Sequence, residues 1–293
     1  MEKKYIAPSE LPINEDGSVF HLHVKSEQLA DKIILVGDLG RVPTIASHFE
    51  KIECDIQNRE FRTITGTYQG KRITCTSTGI GCDNIDIVMT ELDALANVDF
   101  DTREVKEGFR QLEIVRIGTS GGLQRNTPIG TFVCSERSIG FDGVVNFYAK
   151  RNQVCDLAME RAFVNHMGWS GTLGAPAAYA VHADEELVNR IAGSDMVKGI
   201  TIAANGFYGP QGRTVRLEVA DPHQNEKIEK FEFDGLHIIN FEMESSALAG
   251  LAKMMGHRAT TVCLIIANRL IKEMNTRYKN TIDGLIKTVL DRI

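Results

Sequence analysis

The sequence lacks the markers of several classes of protein. It contains no run that approaches the ~20 consecutive apolar residues of a membrane-crossing helix. Its first residues, MEKKYIAPSELP, hold no apolar core of the kind that a secretory signal needs. These absences argue against an exported or membrane-embedded protein, and we expect a cytoplasmic protein with no membrane partner.

Cysteine pairs and excess positive charge are also missing. The six cysteines are scattered without a CxxC pair, which favours free thiols over a disulfide framework or a zinc site. The histidines of the HxH pair, His21 and His23, have no third ligand nearby in the sequence, so we predict no metal site from them. The net charge of −6 disfavours a nucleic-acid partner, although a few local arginines could still hold a small anion.

Repeats, low-complexity tracts and linkers rich in proline, glycine or serine are absent, and the seven prolines are dispersed. We therefore predict a single domain over residues 1–293. Residues 1 to about 15 are expected to be irregular. The stretch 137–182 has weak periodicity, which suggests an insertion or an elaborated loop.

Short β-rich runs alternate with helical patterns along the chain, which predicts an α/β fold with a mixed central sheet flanked by helices. Near-continuous apolar strands such as VCLIIA suit a sheet that is covered on both faces. The predicted strands are 32–37, 61–78 (a hairpin turning at 69–71), 112–118, 130–135, 199–206, 236–242 and 259–269. The predicted helices are 42–50, 84–97, 183–193, 224–232, 244–256 and 276–292.

Three predicted strands end in turns that contain glycine: residues 38–41, 79–84 and 119–122. Such turns let backbone N–H groups approach an anion, and ligands collect beyond the carboxyl ends of strands in α/β sheets. Arg116 lies within a core strand, where its charge needs a partner. An internal ion pair with Glu244 and the binding of an anion are both open interpretations. None of the turns matches a dinucleotide-binding or P-loop pattern.

The segment FEMES places Glu242 and Glu244 on either side of Met243, where a strand gives way to a helix. Acidic residues favour the first turn of a helix by ~0.3–1 kcal/mol, so the pair could simply begin that helix. Alternatively, a carboxylate can accept two hydrogen bonds from a vicinal diol while the methionine lies against a sugar ring. The residues alone leave both readings open.

Several segments together resemble the nucleoside phosphorylases of the uridine phosphorylase type, over about residues 19–270. The matching segments are VFHL (19–22), LVGDLGRV (35–42), NREFRT (58–63), STGIG (77–81), RIGTSGG (116–122), FYGPQGR (207–213), FEMESSAL (241–248) and NR (268–269). Alone, GPQGR would be taken for a surface turn. The resemblance implies a twisted mixed sheet, partly barrel-like, and the conversion of uridine and inorganic phosphate to uracil and ribose 1-phosphate.

The resemblance also assigns roles to residues. The phosphate, a co-substrate, would be bound by Gly37, Arg41, Arg116 and Thr119, with Arg59 reaching in from a partner subunit. The ribose would be held by Met243, Glu244, Glu242 and the partner's His21. The uracil would be recognised by Phe207, Gln211, Arg213 and Arg269. Arg116, Gln211, Arg213 and Glu244 would carry catalysis by positioning the reactants and stabilising charge.

Purine-cleaving relatives carry Ser-Asp near the position of Asn268 and Arg269, and its absence argues for a pyrimidine. A purine nucleoside phosphorylase or a hydrolytic nucleosidase on the same scaffold is the main alternative, and a non-catalytic nucleoside-binding protein is a remote one. The sequence does not distinguish uridine from deoxyuridine or thymidine as the substrate. No organic cofactor is expected.

The sequence departs from the family where Gly-Gly-Pro-Ser is replaced by residues 81–84, GCDN. In hexameric bacterial relatives, this region helps to hold a monovalent cation between subunits, which here would lie near Glu60, Ile80 and Asn84. The change puts the cation and the hexamer in doubt. We therefore expect a homodimer in preference to a trimer of dimers.

Overall fold

The predicted alternation of strands and helices is found in the computed structural model, which describes residues 5–293. The strands are β1 (Lys32–Val36), β2 (Lys51–Asn58), β3 (Phe61–Tyr68), β4 (Lys71–Ser77), β5 (Val98–Asp99), β6 (Glu104–Val105), β7 (Glu113–Gly122), β8 (Phe132–Gly140), β9 (Tyr179–His182), β10 (Val197–Ala203), β11 (Glu232–Phe233), β12 (Leu236–Glu242), β13 (Arg258–Asn268) and β14 (Glu273–Met274). The helices are α1 (Arg41–Ala46), α2 (Cys82–Asn97), α3 (Arg151–Val154), α4 (Leu157–Met167), α5 (Glu185–Ala192), α6 (Gln224–Lys230), α7 (Ser245–Met255) and α8 (Lys279–Arg292). None of the described helices is long and apolar enough to cross a membrane.

Most of the described strands join one mixed sheet in the order β11-β12-β10-β8-β13-β7-β1-β4-β3-β2, with β14 and β9 added to β13 and β8. An additional pairing of β12 with β7 closes the strands β7, β13, β8, β10 and β12 into a ring. The sheet is therefore partly a barrel, and the predicted fold class is confirmed.

Strand β1 shows why the apolar runs lack the alternation of a half-exposed strand. Ile33 and Leu35 pack with buried side chains of α2 and α7, whereas Ile34 and Val36 pack with those of α1, α5 and α8. Successive side chains of a strand point to opposite faces, and both faces of this sheet are covered by helices. The apolar run therefore fills two cores.

The register of the central strands brings the glycine-containing turns together. Strand β1 pairs in parallel with both β4 and β7, so that Leu35 lies opposite Thr76 on one side and Arg116 on the other. Strand β13 continues the parallel set beyond β7. The carboxyl ends of these strands consequently meet at one edge of the sheet.

Several elements were not predicted, and the two longest of them are strand β2 and helix α4. Strand β2 forms an edge of the sheet, is largely exposed and lacks an apolar run, and it is held by its antiparallel pairing with β3. Helix α4 lies within 137–182, and its Met159 and Phe163 are fully buried. Residues 5–15 form turns and isolated bridges, as expected for an irregular segment, and the rest of that predicted segment lies outside the described residues.

Candidate active site

A cavity of about 710 Å³ lies where the carboxyl ends of the central strands meet. Ten of the site residues predicted from the sequence line it: Gly37, Arg41, Arg116, Thr119, Phe207, Gln211, Arg213, Glu242, Met243 and Glu244. The side chains come from segments far apart in the chain. The fold thus gathers the predicted phosphate, ribose and base groups around one space.

Arg116 lies at the centre of the charged end of this cavity. Its Nη2 is 2.5 Å from Oε2 of Glu244, and its Nη1 is 3.4 Å from Oε2 of Glu242. The ion pair considered from the sequence is therefore present, and the guanidinium lines the cavity as well. Burial lowers the pKa of Arg116, but the two carboxylates outweigh burial and the pKa is raised overall, so the side chain stays charged.

Two glycines make room for the guanidinium. A Cβ atom on Gly118 would lie 2.5 Å from Nη1 of Arg116, and one on Gly37 would lie 3.3 Å from its Nη2. Any larger residue at 118 would force the arginine to move. This close approach is a physical reason for glycine at both positions.

The two acidic residues of FEMES have different surroundings. Glu242 accepts hydrogen bonds from the backbone N–H groups of Glu244 and Ser245, at 2.9–3.0 Å, and so caps the start of α7. Glu244 accepts one from the N–H of Gly81 at 2.8 Å. Burial raises the pKa of Glu242 to about 7, with Arg116 opposing the shift and Glu244 adding to it. The helix-start reading therefore fits Glu242, while Glu244 borders the cavity with Arg116 and Gly81 as its partners.

Arg41 opens α1 and is 93% buried, with Nη1 donating to the carbonyl of Ile117 at 3.1 Å. No carboxylate lies within ion-pair distance of it in the part of the chain described. Burial lowers the pKa of Arg41, and the nearby charge of Arg116 lowers it further. Arg116 is balanced by Glu242 and Glu244, so Arg41 is the cation that would gain most from an anion in the cavity.

The opposite end of the cavity carries the GPQGR segment. Nη1 of Arg213 is 2.5 Å from Oε1 of Gln211, which is buried, and the guanidinium carbon lies 3.8 Å from the centre of the Phe207 ring. Burial lowers the pKa of Arg213 to about 10, and the charge of Arg269 contributes. The arginine is still protonated at neutral pH. It therefore offers donors beside an amide and an aromatic face.

Three predicted residues do not line this cavity. Arg269 supports the turn from outside, where its Nη2 donates to the carbonyls of Gln211 and Gly212 at 3.2 and 3.3 Å. His21 contacts Glu91 through Nδ1 at 2.7 Å, and the guanidinium carbon of Arg59 lies 5.2 Å from the ring centre of Phe20, the neighbour of His21. His21 and Arg59 were assigned to a partner's site, and that assignment stays a prediction.

The residues near which hexameric relatives hold a cation, whose presence the sequence puts in doubt here, are found at the cavity. Glu60, Ile80 and Asn84 all border the cavity. Among residues 5–293, no group of three or more His, Cys, Asp or Glu side chains is arranged to hold a metal ion. A cation held by other oxygen atoms near these residues stays an untested alternative.

Some lining residues were not predicted from the sequence. Met274 borders the cavity from β14 and Tyr278 from the residue before α8, and neither adjoins one of the motifs. Ser120 also lines it, and its place directly after Thr119 was an available signal. The prediction of a turn at 119–122 was wrong, because these residues continue β7 and pair with β13.

The chain is similar to known nucleoside phosphorylases. The family described as "Phosphorylase superfamily" matches residues 31–291. A uridine phosphorylase of Thermococcus kodakarensis is 29% identical over 281 residues, covering 93% of this chain and 85% of the relative. A uridine phosphorylase of Haemophilus influenzae is 26% identical, covering 93% and 96%.

A solved structure gives the same picture. The nucleoside phosphorylase of Trypanosoma brucei, whose structure is described as showing uridine phosphorylase activity, superimposes with a TM-score of 0.87. It is 29% identical, and the match covers 96% of this chain and 98% of that one. Sequence and fold thus agree along nearly the whole length.

Proposed function

Because the chain belongs to the phosphorylase superfamily, we propose that it cleaves uridine with inorganic phosphate to give uracil and ribose 1-phosphate. One observation carries the proposal: a single cavity joins two buried arginines, a carboxylate and a Gln–Arg pair. These are groups suited to a phosphate, a ribose diol and the edge of a pyrimidine, in that order. The similarity to uridine phosphorylases supports the same assignment.

The phosphate end follows from charge. Arg41 has no carboxylate partner in the described part of the chain, and its guanidinium can meet phosphate oxygens with paired donors. Arg116 lines the same space, so its guanidinium can also meet an anion there. Gly37 and Thr119 border the same space. Phosphate held here is positioned for attack and largely removed from water.

In the reaction, the bond between C1′ of the ribose and N1 of uracil breaks, and its electron pair leaves with the base. A phosphate oxygen then bonds to C1′ from the opposite face. Glu244 would hold the 2′- and 3′-hydroxyls, with Met243 against the ring. The charge that develops on uracil would be stabilised by Arg213, whose guanidinium is held in place by Phe207 and is paired with Gln211.

The active unit is proposed to be a homodimer in the cytoplasm, acting in pyrimidine salvage, with a trimer of dimers as the larger alternative. His21 and Arg59 lie close to Phe20, which is 39% exposed and sits beside both of them. A second copy seated on this surface would bring a cation to its phosphate and an imidazole to its ribose. That arrangement would give a role to two predicted site residues that do not line their own cavity.

The test is a panel of nucleosides incubated with and without phosphate. Uridine should be consumed only when phosphate is present, with ribose 1-phosphate as the sugar product, and deoxyuridine, thymidine and inosine measured beside it. Free ribose formed without phosphate would instead indicate a nucleosidase, and preference for inosine a purine phosphorylase. Saturable binding of uridine with no product would indicate a non-catalytic binding protein.

Two variants assign the ends of the cavity. Arg213→Ala should lower kcat/KM for uridine by a factor of about 100 or more, the scale of one lost transition-state donor, while phosphate affinity is kept. Arg41→Ala should raise the KM for phosphate above all. Arg216→Ala, which alters an exposed arginine of the same loop as Arg213, is the control. Calorimetric loss of phosphate binding in the Arg213 variant would contradict the assignment.

A further inference from the structure

The turn that carries Gln211 is held from behind by a helix outside the cavity. Helix α6 presents two side-chain amides to it. Nε2 of Gln224 donates to the carbonyl of Pro210 at 2.9 Å, and Nδ2 of Asn225 donates to the carbonyl of Gln211 at 3.3 Å. Neither residue borders the cavity. Their contacts are with the backbone of the turn, so they act on its position and not on a ligand.

The same turn is held from the other side by strand β13. Arg269, which directly follows that strand, donates to the carbonyls of Gln211 and Gly212. Within the turn, the N–H of Gly212 donates to the carbonyl of Gly209 at 2.8 Å. The carbonyls of Pro210, Gln211 and Gly212 thus all accept from side chains of two separate elements. A short turn without these donors would depend on one or two internal hydrogen bonds.

Helix α6 is itself fixed to the body of the protein. Ile228 is fully buried in a core cluster. The ring of His166 contacts the carbonyl of Lys227 at 2.7 Å, and Nε2 of Gln124 donates to the carbonyl of Glu229 at 3.0 Å. These contacts come from α4 and from the loop after β7. The helix is therefore a fixed support, although it is only seven residues long.

Steric fit adds a second link between α6 and the turn. Gly212 has φ +66°, and a Cβ atom there would lie 2.7 Å from Nδ2 of Asn225 and 2.9 Å from its Cγ. The amide of Asn225 fills the space that a side chain at position 212 would need. Position 212 requires glycine both for its backbone angle and because of this contact.

We propose that Gln224 and Asn225 are positioning residues for recognition of the nucleobase. They lock the turn so that the amide of Gln211 and the guanidinium of Arg213 keep their mutual contact and their direction into the cavity. The inference rests on the proposed function, in which these two groups face the uracil edge. Phosphate is held by other elements, so the two residues act on the nucleoside alone.

The experiment compares Gln224→Ala and Asn225→Ala with Lys230→Gln, which changes an exposed residue at the end of the same helix. Removing one hydrogen bond of this kind should raise the KM for uridine about threefold to tenfold. The KM for phosphate should stay within about twofold, and the control should match the wild type in both KM values. Thermal unfolding of each variant shows whether the fold is kept.

A double-variant cycle tests the steric link. Gly212→Ala should raise the KM for uridine strongly, and Asn225→Ala should relieve the part of the defect caused by the collision. If the two effects were independent, the increases in the KM for uridine would multiply. The KM of the double variant should instead be at least about threefold lower than that product. If Gly212→Ala does not fold, the two alanine variants of α6 still decide the proposal.

Distinct results separate the possible failures. A wild-type protein that does not cleave uridine would overturn the proposed function itself. An active wild type whose Gln224 and Asn225 variants keep the KM for uridine would overturn the positioning role. Equal changes in the KM for both substrates would also overturn that role, because this pattern indicates a general loss of structure. Independent effects of Gly212→Ala and Asn225→Ala in the double-variant cycle would overturn it as well.

Discussion

Gly118→Ala should disable the cavity through one methyl group. The new Cβ would lie 2.5 Å from Nη1 of Arg116 and 3.0 Å from Sγ of Cys263. Since carbon and nitrogen normally stay about 3.5 Å apart, the guanidinium would have to retreat by about 1 Å. The sulfur atom leaves the methyl group little room to yield instead. The retreat pulls Arg116 away from at least one of Glu242 and Glu244.

The magnitude follows from the buried ion pairs. Breaking such a pair by removing one partner costs about 3–5 kcal/mol, and a displaced arginine keeps part of its attraction. That cost lowers the free energy of unfolding. The catalytic effect has the scale of one misplaced transition-state donor, about 2.7–4 kcal/mol, which corresponds to a roughly 100- to 1,000-fold fall in kcat/KM. The KM for phosphate and that for uridine should both be affected, because Arg116 contacts Glu244 directly.

The assay is steady-state phosphorolysis of uridine, accompanied by chemical denaturation. Gly108→Ala is the matched control, because nothing lies within 4 Å of the Cβ position there and its φ is ordinary. If Gly118→Ala keeps kcat/KM within about threefold of the wild type, then either Arg116 moves without penalty or its position does not matter. Either result would refute the reasoning.

Two further predictions concern carboxylates: Glu242 at the cavity and Glu91 beside His21. Burial raises the pKa of Glu242 from 4.5 to about 7. Between these values the folded chain keeps a proton that the unfolded chain has released, so this group's contribution to the free energy of unfolding should fall as the pH rises from about 5 to 7. Urea denaturation of the wild type and of Glu242→Gln measures that contribution, and a difference that is flat or rises with pH would show an ordinary, ionised carboxylate. Glu91→Gln should slow the cleavage of uridine about threefold to tenfold but leave the cleavage of 5′-deoxyuridine nearly unchanged. The reason is that Glu91 holds Nδ1 of His21 and leaves Nε2 to meet a 5′-hydroxyl. Equal slowing of both substrates would contradict that role.

The sequence predicted most of the sheet and most of the cavity because those signals are local. Apolar runs ending in glycine marked β1, β4 and β7, and their parallel pairing then brought the turns together. Helix α4 also had local signals that were not used: Asp156 caps its start and Gly168, in a left-handed conformation, ends it. Strand β2 had no such signal, because its charged, exposed edge is defined only by the neighbour that it pairs with.

Contacts between distant segments were beyond the reach of pattern. The pairing of Arg116 with both acidic residues depends on how β7 and the end of β12 approach each other. The support of the 209–212 turn by Gln224 and Asn225 has no motif, since amides on a short polar helix are common on protein surfaces. Glu91 lies on α2 and accepts hydrogen bonds from the backbone N–H groups of His21 and Leu22. Its role likewise becomes visible only in the fold.

The charges around the cavity leave a role for the arginine that is proposed to come from a second copy. Three arginines line the cavity in the described part of the chain, but so do four carboxylates: Asp38, Glu60, Glu242 and Glu244. Two of these already neutralise Arg116, and even with Glu242 protonated the lining carries no excess of positive charge. A dianionic phosphate would therefore depend on Arg41 at close range and gain little from the wider field of its own chain. An arginine supplied by a second copy, as proposed for Arg59, would change that balance at the place where the dianion must sit.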